Sequence, residues 1–72
     1  MTDWVAYAKG VLRAEMRRRG LSYADLVSAL GETGVKETEA NLRNKVSRGS
    51  FTAAFLFQCL DAIGVKVLHL DS

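Results

Sequence analysis

The sequence contains no proline, one cysteine and one histidine, and none of its apolar runs approaches the roughly 18 residues of a membrane-spanning helix. Each scarcity excludes something. A single cysteine, Cys59, cannot close an internal disulfide. Cys59 and His69 do not make a zinc-spaced ligand set, so no metal is expected. The stretch "MTDWVAYAKG" lacks the basic-then-apolar order of a secretory signal, and a cytoplasmic protein without membrane attachment is expected. There is no glycine-rich phosphate loop. Ser72, His69 and Asp71 are the residue types of a hydrolytic triad, but neighbours in one short tail have no fixed geometry. Neither enzyme activity nor a cofactor is expected.

What remains is a chain of 72 residues, 49% apolar, with a net charge of +2. That is enough apolar material for one packed domain over 1–72, yet a core of this size is often marginal alone. With no disulfide or metal to staple it, the simplest support is a second copy of the chain.

Without proline, glycine supplies the punctuation, and helical spacing of apolar residues is found over about 3–19, 22–30, 37–48 and 52–63, followed by a tail at 65–72. Thr2 or Asp3 can cap the first helix, in which Val5, Ala8, Leu12 and Met16 recur and Trp4 and Val11 widen the stripe. Gly10 costs about 1 kcal/mol against alanine mid-helix, so it is expected to allow close packing or to mark a break. Arg17, Arg18 and Arg19 complement the dipole at the end of this helix, or offer a phosphate contact. Ser22 is a good cap with an acid, Asp25, three residues on, and Gly31 is expected to stop the second helix. Glu37 and Glu39 open the third helix, and cations close it. Thr52 caps the fourth. The tail "VKVLHLDS" roughly alternates and reads as a short strand or extended arm. The fold class is therefore all-α, with four short helices, or five if the first breaks at Gly10.

The charge is unevenly placed. "NLRNKVSRGSFT", residues 41 to 52, holds three cations, two asparagines and no acid. On a helix, Asn41, Asn44, Lys45 and Arg48 follow i, i+3, i+4, i+7 spacing within about 100° of arc, while Leu42 and Val46 lie on another side. A solvated helix face can carry the same cations. A helix that reads a major groove also needs this stripe: Arg and Lys bind guanine edges or phosphates, Asn binds adenine edges, and short hydroxyls suit phosphate oxygens.

Two longer stretches, "RRGLSYADLVSALG" and "NKVSRGSFTAAFLFQCLDAIGV", resemble the lambda-repressor and Cro class of helix-turn-helix proteins over about residues 11 to 65. More narrowly, "RRGLSYADL", "NLRNKVSRGSF" and "FQCLDAIGV" resemble a family of small, uncharacterised bacterial proteins of this fold type. The resemblance implies that Ser22 and Tyr23 open the helix that meets a phosphate. It implies that Asn41, Asn44 and Lys45 lie on the reading helix, and that Arg48, Ser50 and Thr52 touch the backbone from the following loop and cap. This sequence departs from the class at three places. "GETGV" lengthens the turn by about three residues, which changes the docking angle. Val27 is bulkier than the usual alanine. Glu37 and Glu39 stand at the end that usually enters the groove, where they either complement the dipole or push the contact toward Asn44, Lys45 and Arg48.

Helix four is more apolar than one core face requires. Leu56, Leu60 and Ile63 form one stripe, and Phe55 and Cys59 a second, with Phe57 beside it. Cys59 reads as a packed apolar residue rather than a reactive thiol. The second stripe, with Val67, Leu68 and Leu70 of the tail, is assigned to a homodimer interface. The expected function is sequence-specific binding of duplex DNA as a transcriptional regulator of the Cro/repressor type. The alternative is a helix-turn-helix-derived protein-interaction module or phage accessory protein that makes no DNA contact.

Overall fold

A computed structural model of the chain describes residues 3–68 and 70. It contains four helices, α1 (Trp4–Arg18), α2 (Tyr23–Glu32), α3 (Glu39–Arg48) and α4 (Ala53–Ala62), and no strand among the described residues. The fold is all-α. α4 packs against α1 and α2, and α2 also packs against α3. No helix among the described residues is long and apolar enough to cross a membrane.

Each helix starts on a polar side chain that satisfies otherwise orphaned backbone donors. Asp3 accepts from the N–H groups of Val5 and Ala6, Ser22 from Asp25, Thr38 from Asn41 and Thr52 from Phe55. Each helix ends on a closing turn that repeats. The N–H donors of Leu21, Val35, Ser50 and Val65 reach back to the carbonyls of Met16, Leu30, Lys45 and Leu60, around a glycine with positive φ. At Gly49 (φ 68°) a second constraint is added. A Cβ there would run into Val5 Cγ1, because the first turn of α1 lies against the end of α3. Lys9 reinforces this junction by donating from Nζ to the Ser47 carbonyl at 2.8 Å.

Leu12, Met16, Leu26, Leu30, Leu42, Val46, Phe55, Cys59 and Leu60 form the shared core. Several expectations are corrected by it. α1 is continuous through Gly10, which is exposed and where an added Cβ would meet nothing within 4 Å, so it marks neither a break nor a close approach. The buried part of α1 is its second half. Trp4 and Val5, expected on the core stripe, are exposed. Gly31 does not end α2; the helix runs one residue further, and Gly34 with positive φ makes the stop. α3 begins at Glu39 because Thr38 takes the cap, which leaves Glu37 outside the helix. Residues 65–68 and 70 carry no strand, and Thr2, His69, Asp71 and Ser72 lie outside the described residues.

The interface assignment of Phe55 and Cys59 is also corrected. Both are buried within one copy of the chain, Cys59 completely, because α4 is covered on two sides by α1 and α2. Leu56 and Ile63, on the stripe expected to be core, are only half-buried. The exposed apolar residues at this end are Phe57, Val67, Leu68 and Leu70.

Candidate functional site

α3 is amphipathic along its whole length. Leu42 and Val46 are fully buried, so the opposite face must look outward. Asn41, Asn44 and Arg48 occupy that face and are exposed. Among the described residues, none of the three side chains has a hydrogen-bonding or ionic partner, so their amide and guanidinium groups are uncommitted.

Two further cations flank this face, and both are held. On one side, Arg43 pairs with Glu39 at 2.8 Å, one turn away, and lies 5.5 Å from the centre of the Tyr23 ring. On the other, Lys45 Nζ pairs with Glu37 Oε2 at 2.8 Å and lies 4.7 Å from the centre of the Phe55 ring. Each cation thus sits between a carboxylate and an aromatic face, which attracts it through the ring quadrupole. Lys45, assigned to the reading stripe, is half-buried and turned to its flank. The acids Glu37 and Glu39 neutralise neighbouring cations on the protein itself.

The remaining assigned residues fall into two separate places. Ser50 and Thr52 line a shallow cleft with Lys45, Phe51 and Phe55. Both are exposed, and the Thr52 hydroxyl oxygen accepts from the Phe55 N–H. Ser22 and Tyr23 line a larger cleft, about 440 Å³, between α1, α2 and α3. Here the expected phosphate contact meets an obstacle. Ser22 donates both its N–H, at 2.8 Å, and its hydroxyl, at 3.0 Å, to Asp25 Oδ2. These two bonds, the backbone one first, hold the Asp25 carboxyl below its usual pKa. A carboxylate therefore already occupies the N-terminus of α2.

Arg17, which the sequence offered with Arg18 and Arg19 as a phosphate contact, lines the larger cleft together with Arg13 and Arg43, which sequence reasoning missed. The available signal was the i, i+4 repeat of Arg13 and Arg17, two like charges on one helix face, with Glu15, the acid between them in sequence, turned to another side. Cys59 is excluded as reactive chemistry. Burial, then the charge of Glu37, pushes its thiol up to about 11, with Lys45 opposing. Among the described residues no group of three or more His, Cys, Asp or Glu is placed to hold a metal ion.

No curated protein and no solved structure matches this chain. A family model described as a domain of unknown function, DUF6471, matches residues 4–68, which include all four helices, and the chain belongs to that family.

Proposed function

We propose that the protein binds duplex DNA through the outward face of α3 and acts as a transcriptional regulator in the form of a homodimer. One observation carries this reading: Asn41, Asn44 and Arg48 are exposed and uncommitted on the face opposite Leu42 and Val46. Asn amides can discriminate between bases, and Arg48 can bind a base edge or a phosphate. α2 and α3 pack against each other, as the two helices of a helix-turn-helix do, across the six-residue connection 33–38. The resemblance to the lambda-repressor and Cro class supports the same assignment. Homodimerisation rests on the exposed Phe57, Val67, Leu68 and Leu70, a surface that a second copy would remove from water.

The exposed apolar end also favours a second reading, a protein-interaction module that makes no DNA contact. Titration of a labelled random duplex, followed by anisotropy at two salt concentrations, separates the two. Binding at about 50 mM salt that weakens steeply by about 200 mM supports the DNA reading. No binding at either concentration would leave the interaction module.

A further inference from the structure

The cleft between α1, α2 and α3 holds a group of cations that the α3 stripe does not include. Its lining brings Arg13 and Arg17 of α1 opposite Arg43 of α3, over a floor that includes Met16, Leu21 and Tyr23. The arginines of α1 are not equivalent. Glu15 is buried and takes both Arg18 and Arg19. No acid among the described residues pairs with Arg13 or Arg17. They lie one turn apart, about 6 Å along the axis, and face the cleft together. Like charges at this spacing destabilise a helix when nothing lies between them. An anion in the cleft would relieve that repulsion.

The nearest alternative anion site is closed. Both side-chain and backbone donors of Ser22 are given to Asp25, whose carboxylate fills the α2 N-terminus. An incoming phosphate would be repelled there and attracted by the arginines across the cleft. Glu39, also at the cleft, is compensated by Arg43 at 2.8 Å.

We propose that Arg13 and Arg17 form an anion clamp on α1 that holds a backbone phosphodiester of the duplex in the cleft beside Tyr23. The clamp rests on the DNA-binding reading. It moves the phosphate contact from the first turn of α2 to α1. Two forked guanidiniums match phosphate oxygens, and the apolar floor suits the adjoining sugar. The cleft is walled by Glu39 and Arg43 of α3. A phosphate held there therefore fixes how α3 lies against the bases without itself reading sequence.

The test is the salt dependence of anisotropy titrations on a random duplex, with folding checked by circular dichroism. The Arg13→Gln/Arg17→Gln double variant is expected to weaken binding to all sequences alike. It should make the slope of log K against log salt shallower by about one, roughly the 0.9 expected for one phosphate no longer neutralised. Arg13→Lys/Arg17→Lys keeps the charge and is expected to keep the slope but to weaken binding, since lysine cannot fork onto phosphate oxygens; unchanged affinity in this variant would overturn the clamp should the glutamine variant fail to fold. Ser22→Ala is expected to lower the melting temperature and leave the slope unchanged. Wild-type binding to duplex with an unaltered slope in the folded glutamine variant would overturn the clamp and leave the DNA reading intact. Failure of the wild type to bind any duplex would overturn both. If the glutamine variant lost binding to polyglutamate while keeping its duplex affinity, the cleft would belong to an acidic protein partner and the clamp would be wrong.

Discussion

Lys45 is held by Glu37: its Nζ lies 2.8 Å from Glu37 Oε2, while the Phe55 ring lies 4.7 Å away on its flank. The pair joins the connection before α3 to the second turn of α3, eight residues apart. The Glu37 side chain is 9% exposed and that of Lys45 42%, so the carboxylate is the more enclosed partner. Duplex DNA would compete with Glu37 for this lysine.

Removing that competition should strengthen duplex binding. Glu37→Gln is expected to raise affinity for all sequences and to steepen the salt slope by about one, as Lys45 becomes free to neutralise a phosphate. The cost in stability is expected to stay near 1 kcal/mol, since the lysine end of the pair is solvated. Titrations at several salt concentrations, with a urea melt of each protein, would check both numbers. Unchanged binding would mean Lys45 stays on its flank.

The outward face of α3 should divide into a charge role and a reading role. Arg48→Ala is expected to lower affinity evenly and make the salt slope shallower by about one. Asn44→Ala is expected to leave the slope alone and cost about 1–3 kcal/mol at a preferred site only. Binding-site selection followed by titration on preferred and scrambled duplexes distinguishes the two patterns.

Assembly should depend on the exposed end of α4. Light scattering of the wild type at about 10–100 μM is expected to give twice the chain mass of 7.9 kDa. Phe57→Asp should give the single mass, with helicity retained because Phe57 is 56% exposed and outside the core. A dimer would set half-sites about 34 Å apart on DNA. A wild type that stays at the single mass across this range removes the dimer.

The Cys59 thiol sits near 11 when folded, against 9.0 for an unburied thiol. Above pH 9 the unfolded chain therefore loses this proton while the folded chain keeps it. The contribution of the buried thiol is complete below pH 9 and is lost as pH rises toward 11. Denaturation midpoints of wild type and Cys59→Ala, compared across that window, should converge with rising pH. Near neutral pH, a thiol reagent should label the native protein slowly and the urea-unfolded protein fast.

Gly49 carries two separable penalties. Gly64→Ala, in open space at φ 87°, is expected to cost roughly 1–2 kcal/mol of left-handed strain alone. Gly49→Ala should cost more, because its methyl meets Val5 Cγ1. Val5→Ala in that background should recover the excess and leave the strain. A double-mutant cycle by urea denaturation gives the coupling; additivity of the two changes would show that α1 does not touch this turn.

Much of this arrangement could be read from residue types and spacing. The caps Asp3, Ser22 and Thr52 were visible as short polar residues ahead of apolar periodicity, and Leu42 and Val46 marked the inner side of α3. Thr38 was not visible as a cap, since acids on both sides of it suggested a first helical turn already under way. Gly31 is the glycine that the sequence marks as a stop, but the stop is made at Gly34, where Val35 can reach the Leu30 carbonyl. The apolar excess of α4 was legible, but which stripe is covered depends on α1 and α2 packing on it. For the candidate site, exposure of Asn41, Asn44 and Arg48 followed from the helix period. The capture of Lys45 by Glu37, and the meeting of Arg13 with Tyr23 and Arg43, are tertiary events. No local pattern encodes them.

Trp4 is the only tryptophan, and its position decides what its fluorescence can report. The indole is 60% exposed and packs edge-on against Tyr7, with ring centres 5.4 Å apart. It stands at the rim of a groove with Val5, Ala8, Phe51 and Leu56. Its emission therefore follows the seating of the first turn of α1 on the start of α4, whereas far-ultraviolet dichroism follows the helices. If the two signals change together on heating, that turn belongs to the cooperative unit. If the indole signal moves first, the N-terminal turn is a separate, weaker latch, and the end of α3 that it braces through Val5 at Gly49 loosens before the core melts.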